Sequence, residues 1–266
     1  MPVDILDQPR GDILERVTFY LYKNGGICSW DSIINKMSGS KDGEEYLERN
    51  VIGILEVAGI LSAKDDEKIT LKDLHILNRC SSSNLATFGL YFKIELLSKI
   101  NLSRNPHVGY FSDFLRKIFD NPILDDAKVE ELLREARRNR GIPVAEGEEL
   151  SGKRDYCITF LKYFNLVQPI GHDYIVCIPR DLLEIVISIA LQDIKKPSVK
   201  LFSELFDHID KNYIPMIDKK EGRLLDAVYK AINKEEFITS FKFAHVPDGG
   251  RDIILRNKPF NAIFMG

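Results

Sequence analysis

A chain of 266 residues, 44% hydrophobic and 29% charged, is long enough for two domains or three small ones and apolar enough to bury their cores. Its 37 basic and 40 acidic residues leave a net charge of −3, which excludes a dedicated nucleic-acid coat and confines any nucleic-acid surface to a local patch. The four cysteines (Cys28, Cys80, Cys157 and Cys177) and five scattered histidines show no CxxC pair and no zinc-finger spacing. Buried thiols in a reducing cytoplasm are expected, with no metal and no cofactor. The opening MPVDILDQPR carries acids early and has no apolar h-region, so it does not read as a signal peptide. The most apolar run, Leu182–Leu191, is about half a membrane span and contains Glu184. A soluble protein with no membrane partner is expected.

In chain order, Gly11 or Asp12 caps a first helix carrying Ile13, Leu14, Val17 and Leu21, and Asn24-Gly25-Gly26 ends it. Ile27-Cys28-Ser29-Trp30 reads as a short strand. Asp31 starts a helix with Ile33, Ile34 and Met37 on one face, and Ser38-Gly39-Ser40 turns into a third helix. Its apolar face includes Ile52, Leu55 and Ala58. Gly59 stops it, because glycine takes the left-handed angle a helix end wants. Ile60-Leu61 and Ile69-Thr70-Leu71 form a hairpin around a polar tip, Lys64 to Lys68, and Lys72-Asp73-Leu74 opens a helix to Asn78.

The pattern recurs. From Cys157 the chain reads CITFLKYFNLVQPIGHDYIVCIPRDLLEIV. Ile158, Leu161, Phe164, Asn165, Leu166 and Val167 fall on Ile52, Leu55, Ala58, Gly59, Ile60 and Leu61 at a constant offset of 106. Asn165 is a sensible substitute for Gly59, since Asn also tolerates the left-handed angle. Arg180-Asp181-Leu182 falls on Lys72-Asp73-Leu74 at offset 108, so the second hairpin tip is two residues longer. Helix, strand, helix, helix and hairpin in this order resemble the winged-helix (winged helix-turn-helix) superfamily, most completely over the first 80 residues.

Between the repeats, Cys80 to Asn84 is a linker, and 85–100 and 110–119 are helices whose aromatic residues are expected in the core. Asp125 caps a helix with Val129, Leu132 and Leu133 inward, ending at Gly141. Ile142-Pro143-Val144 is expected as the first strand of the second unit, followed by a poor, acidic second helix at 145–150, with Ser151 capping the third. Residues 181–193 are apolar on more than one face, which suits a central helix or a subunit contact. After Lys195-Lys196-Pro197, Ser198 caps a helix to Ile209. A helix at 222–232 and strands 237–246 and 252–256 around Pro247-Asp248-Gly249-Gly250 suggest a degenerate third unit. The expected fold is mainly α (α+β), with tandem winged-helix units and small hairpin wings. It divides into a first unit (1–80), a helical connector (81–124), a second unit (125–196) and a C-terminal helix–hairpin unit (197–266).

The resemblance places the third helix and wing against DNA. In the first unit that helix carries Glu44, Glu45, Glu48 and Glu56 against Arg49, which phosphates would repel. The second unit suits DNA better. Lys153, Arg154 and Lys162 lie on its third helix, His172 at its wing, and Arg134, Arg137, Arg138 and Arg140 at the end of the preceding helix. The same arginines also suit a helix C-terminus and i,i+4 pairs with Glu131 and Glu135. In the tail, Arg251, Arg256 and Lys258 interleave with Phe260 and Phe264, a pattern that serves single strands or ordinary packing. Gly25-Gly26 and Gly249-Gly250 lack a following Lys-Ser/Thr, GxSxG and HExxH are missing, and His107 and His245 have no matching nucleophile. Glu236 with Lys242 has the wrong spacing for a nuclease set. Two readings follow. One is a non-enzymatic DNA-associated protein, a regulator or accessory subunit of a DNA-processing assembly. The other is a scaffold whose winged helices bind partner proteins or a second copy, through the acidic first unit or helix 181–193.

Overall fold

The computed structural model describes residues 3–37, 45–65, 68–80, 84–144, 146–193, 198–215, 241–249, 253–255 and 258–265. These are mainly helical with small antiparallel sheets, and they divide into two compact units, residues 1–178 and 179–266.

In the first unit, helix α1 (Gly11–Lys23) buries Leu14, Val17 and Leu21, the stripe its periodicity predicts. Strand β1 (Ile27–Ser29) and α2 (Trp30–Met37) follow. Helix α3 (45–57) is wound as a π-helix over Leu47–Ile52 and as an α-helix over Gly53–Val57. The hairpin β2 (Leu61–Asp65) and β3 (Lys68–Leu71) completes a sheet in the order β1-β3-β2, every pairing antiparallel. The same order then recurs. Helices α4 (Leu85–Leu102) and α5 (Pro106–Ile118) lead to strand β4 (Ile123–Leu124), α6 (Asp126–Asn139) and α7 (Gly147–Tyr163). Strands β5 (Val167–Ile170) and β6 (Asp173–Val176) close a sheet ordered β4-β6-β5, again antiparallel.

The repetition extends to single hydrogen bonds. Gly59 and Asn165 both adopt left-handed backbone, with φ of 78° and 59°. Ile60 N donates to Leu55 O at 2.8 Å, and Leu166 N to Leu161 O at 2.9 Å. Beyond each helix, Lys72 N donates to Ile60 O and Cys177 N to Leu166 O.

Three expectations change in this unit. The first strand of the second repeat is β4, not Ile142-Pro143-Val144. Ile142 N is used by Arg137 O, and Pro143 O accepts from Arg137 Nε, so that segment caps α6. Helix α6 is therefore the second helix of the repeat, and α7 begins at Gly147, with Glu148 and Glu149 in its first turn where the helix dipole favours acids. Ser151 lies inside α7, its hydroxyl donating to Gly147 O. Third, 72–80 forms only a 3₁₀ turn, Leu77–Arg79. The buried Glu95 carboxylate accepts from Ile76 N (2.7 Å) and Leu77 N (3.1 Å), and so holds the segment out of a longer helix.

Five of the six aromatic residues of α4 and α5 are core, as expected: Phe88, Phe92, Tyr110, Phe111 and Phe114 are fully buried, and Tyr91 is half-buried. The Phe111 and Phe160 ring centres lie 5.4 Å apart, which joins α5 to α7. Gly11 is needed for close approach rather than for backbone freedom. A Cβ there would sit 2.1 Å from Tyr163 Cγ, so α1 starts directly on the ring of α7.

The second compact unit begins with α8 (Arg180–Asp193), which buries Leu182, Leu183, Val186, Ile187, Ile189 and Leu191. Strand β7 (Ser198–Leu201) replaces the first turn expected of the next helix, α9 (Phe202–Asn212). Glu204 caps that helix by accepting from Leu201 N. Strand β8 (Phe241–Ala244) does not form a hairpin with 252–256. It pairs with β11 (Ala262–Met265), in a sheet ordered β7-β11-β8, while β9 (Ile253–Leu255) pairs with β10 (Lys258–Phe260). Asn261 enforces this: its side chain accepts from Val246 N at 2.8 Å and donates to Val246 O at 2.9 Å. The helix expected at 222–232, Glu236, Arg251 and Arg256 lie outside the described residues. No described helix is long and apolar enough to cross a membrane.

Candidate functional site

The eight side chains expected on one nucleic-acid face have different environments. Arg137 is buried, 7% exposed, and donates to Asp4 Oδ2 at 2.7 Å, with its guanidinium over the Tyr110 ring. Lys153 donates to Asp7 Oδ1 at 2.5 Å and lies 3.8 Å from Asp4 Oδ2. Arg140 makes a two-pronged pair with Asp113, at 2.5 and 2.9 Å. Arg154 reaches Glu130 at 3.1 Å and Asp126 at 3.4 Å, and Arg134 lies 3.7 Å from the other oxygen of Glu130. Arg137 and Lys153 thus meet around Asp4, and Arg134 and Arg154 around Glu130. Arg138, Lys162 and His172 are exposed and form no ion pair among the described residues; the Lys162 ammonium lies 5.2 Å from the Tyr174 ring centre. The expected continuous basic patch is therefore broken up. Cations on the second repeat are matched by carboxylates of the same chain, several of them distant in sequence.

Asp4 is the hub of this matching. One oxygen accepts from Leu6 N and from the Tyr110 hydroxyl (2.7 Å), and the other from Arg137. Burial first, and then the Asp4 charge, hold the Tyr110 phenol well above the ordinary tyrosine range, so it stays a donor. The neighbouring Ile5 and Leu6 are fully buried, and Ile5 N donates to His107 O. The opening segment is thus a strap laid across α5, α6 and α7.

Beside this strap lies a cleft of about 510 Å³ between the third helices of the two repeats. Asp7 and Gln8 form one wall. Helix α3 contributes Glu45, Tyr46, Arg49 and Asn50, and α7 contributes Glu149, Gly152, Lys153 and Tyr156. The π-helical turn of α3 carries Arg49 and Asn50, and such turns occur often at functional sites. Gln8, at φ 53°, is one of the few non-glycine residues with left-handed backbone. It is held there from both sides: Tyr46 Oη donates to its carbonyl at 3.0 Å, and Asn50 Nδ2 to its side-chain oxygen at 3.1 Å. Burial pushes the Tyr46 phenol up to about 12.

A third cluster sits where α1, α4 and α7 meet. Tyr163 Oη donates to Glu15 at 2.8 Å, and the Lys93 ammonium lies 4.6 Å from the Tyr163 ring centre. Burial raises the Glu15 carboxyl and lowers the Lys93 ammonium from their ordinary ranges. Among the described residues no three His, Cys, Asp or Glu side chains come together as a metal site.

The sequence reading picked out Glu45, Arg49 and Lys153 but missed the strap and the cleft. The signal was faint: Glu149, Lys153 and Tyr156 recur at helical spacing, and so do Tyr46, Arg49 and Asn50. No protein-family model, curated protein or solved structure matches this chain.

Proposed function

We propose that residues 1–178 are two winged-helix units in tandem and that the protein is a non-enzymatic interaction subunit that binds partner proteins. The winged-helix reading is supported by the helix–strand–helix–helix–hairpin order, which occurs twice with the same strand pairing. The protein-binding reading rests on one observation. Two of the three cations on the second unit's third helix are turned to carboxylates of their own chain, through Lys153–Asp7 and Arg154–Glu130, which leaves Lys162. Phosphate binding needs cations free to release counterions.

The wing sheet of the second unit supports the same reading. Ile123, Ile175 and Gln168 stand in one cross-strand row, with Ile170 and Asp173 on the same face. Ile123, Ile170 and Ile175 are 58%, 52% and 39% exposed, which gives that face apolar rather than basic character. A second reading, direct DNA contact, is favoured by the exposed Lys162 and His172 beside that sheet.

Fluorescence-anisotropy titration with a random duplex and a single strand, at low and moderate salt, separates the two. Protein binding predicts no salt-sensitive nucleic-acid affinity. It also predicts a copurifying partner that survives Lys162→Glu/His172→Glu and is lost with Ile123→Glu/Ile170→Glu. Salt-steep duplex binding whose log–log slope falls by about one or more in Lys162→Glu/His172→Glu overturns it in favour of DNA.

A further inference from the structure

The cleft between α3 and α7 has a charge pattern that names its ligand. Lys153, its deepest cation, is occupied by Asp7 and Asp4, so it is not available to an anion. Asp7 in turn accepts from Asp4 N through its second oxygen, so the floor is internally satisfied. The open charges are at the rim. Glu45 and Glu149, one from each third helix, line it together with Arg49, and none of the three forms an ion pair among the described residues. Three carboxylates against two cations leave the lining with a formal excess of one negative charge.

The walls have the same preference. Tyr46 from one helix and Tyr156 from the other line the cleft, and tyrosine rings attract a cation to their faces. Tyr46 also stays a neutral phenol far into the alkaline range, because burial raises it to about 12. The Gln8 and Asn50 amides, joined to each other, keep an N–H₂ and a carbonyl that bond to no other described residue and so suit a peptide backbone. An acidic rim, aromatic walls and paired amides suit an extended basic segment: the side chain seats between the tyrosines and the main chain bonds to the amides.

We infer that this cleft is the docking site for a lysine- or arginine-bearing segment of a partner protein. The inference rests on the protein-binding reading above and assigns its contact to the junction of the two units. Both units contribute, so neither third helix alone forms the site. The π-helical turn and the strained Gln8 are then the local cost of holding the walls open.

The test is anisotropy titration of the full chain with a fluorescein-labelled peptide alternating glycine and arginine, beside its glycine–glutamate counterpart. The arginine peptide binds and the glutamate peptide does not. Glu45→Gln/Glu149→Gln, a near-isosteric change, weakens binding at least tenfold, and Tyr156→Ala does the same. Glu131→Gln/Asp120→Asn, which removes equal charge from exposed positions outside the cleft, leaves it unchanged. Spermidine at equal charge concentration fails to displace the peptide. Equal weakening by both double variants, equal binding of the glutamate peptide, full displacement by spermidine, or no binding of the arginine peptide each overturns the assignment. The protein-binding reading fails separately, on the duplex titration and its Lys162→Glu/His172→Glu variant.

Discussion

Asp4 shows how one side chain can settle the meaning of several others. Its partners Tyr110 and Arg137 are 106 and 133 residues away, and its carboxylate neutralises an arginine that the sequence offers to DNA. Charge reversal at Arg137 would therefore abolish binding by damaging the fold, whatever the ligand. Asp4→Ala leaves a buried guanidinium unpaired, a loss of about 3–5 kcal/mol. For a unit of this size that lowers Tm by roughly 10 °C, readable by calorimetry. Adding Arg137→Met to Asp4→Ala restores part of the loss, since the stranded charge is gone; a purely additive double variant would refute the pairing. Tyr110, which is buried, and Tyr46 and Tyr163, which are half-buried, give a pH prediction. A phenol whose folded pKa exceeds its unfolded value contributes stability that is complete below about pH 10. For Tyr46 that contribution is lost as pH rises through about 12. Phenolate absorbance at 295 nm should therefore rise in two stages. Tyr46, Tyr110 and Tyr163 ionise late, in step with alkaline unfolding, and Tyr46→Phe removes one tyrosine from that late stage.

Among the elements, the helix-to-hairpin joint is where sequence and structure agree most closely. Gly59 and Asn165 hold the same left-handed angle in the same pair of hydrogen bonds, which is why the 106-residue offset was readable. Gly59→Ala places a Cβ in that angle and is expected to cost about 1–2 kcal/mol by urea denaturation. Asn165→Gly is expected to be neutral within about half a kcal/mol. A reversal of that order would show that the two joints are not equivalent. The start of the second repeat was misread because the true strand, Ile123-Leu124, is only two residues long and gives no pattern of its own. Ile142-Pro143-Val144 has the better strand composition, but Ile123-Leu124 finds the open edge of β6, pairing Ile123 with Ile175. Strand pairing depends on which edge is available, and composition does not record that.

For the molecule as a whole, the strap joins what the sequence presents as separate units. Ile5 and Leu6 are fully buried, each worth about 1.5–3 kcal/mol, and Asp4 and Asp7 anchor Arg137 and Lys153. Deleting residues 1–9 is therefore expected to cost more than Asp4→Ala and to open α5 and α7 to hydrogen exchange. Unchanged protection there would mean the strap is dispensable. Residues 1–178 expressed alone are expected to unfold in a single cooperative transition, because both sheets and the aromatic core lie within them.

By itself the sequence determined the mainly helical character, the first repeat's order of elements, and the helix-to-hairpin joint of the second repeat with its asparagine, but not that hairpin's length: Lys72 corresponds to Cys177 rather than Arg180, so the second hairpin is one residue shorter instead of two longer. These depend on local rules: helical periodicity, a left-handed residue at a helix end, polar hairpin tips. Only the tertiary structure decided which strand opens the second repeat, which cations are free, and that the two third helices share a cleft. Those outcomes depend on groups up to 146 residues apart, such as Lys153 and Asp7, and a linear pattern holds no record of which distant carboxylate a lysine will meet.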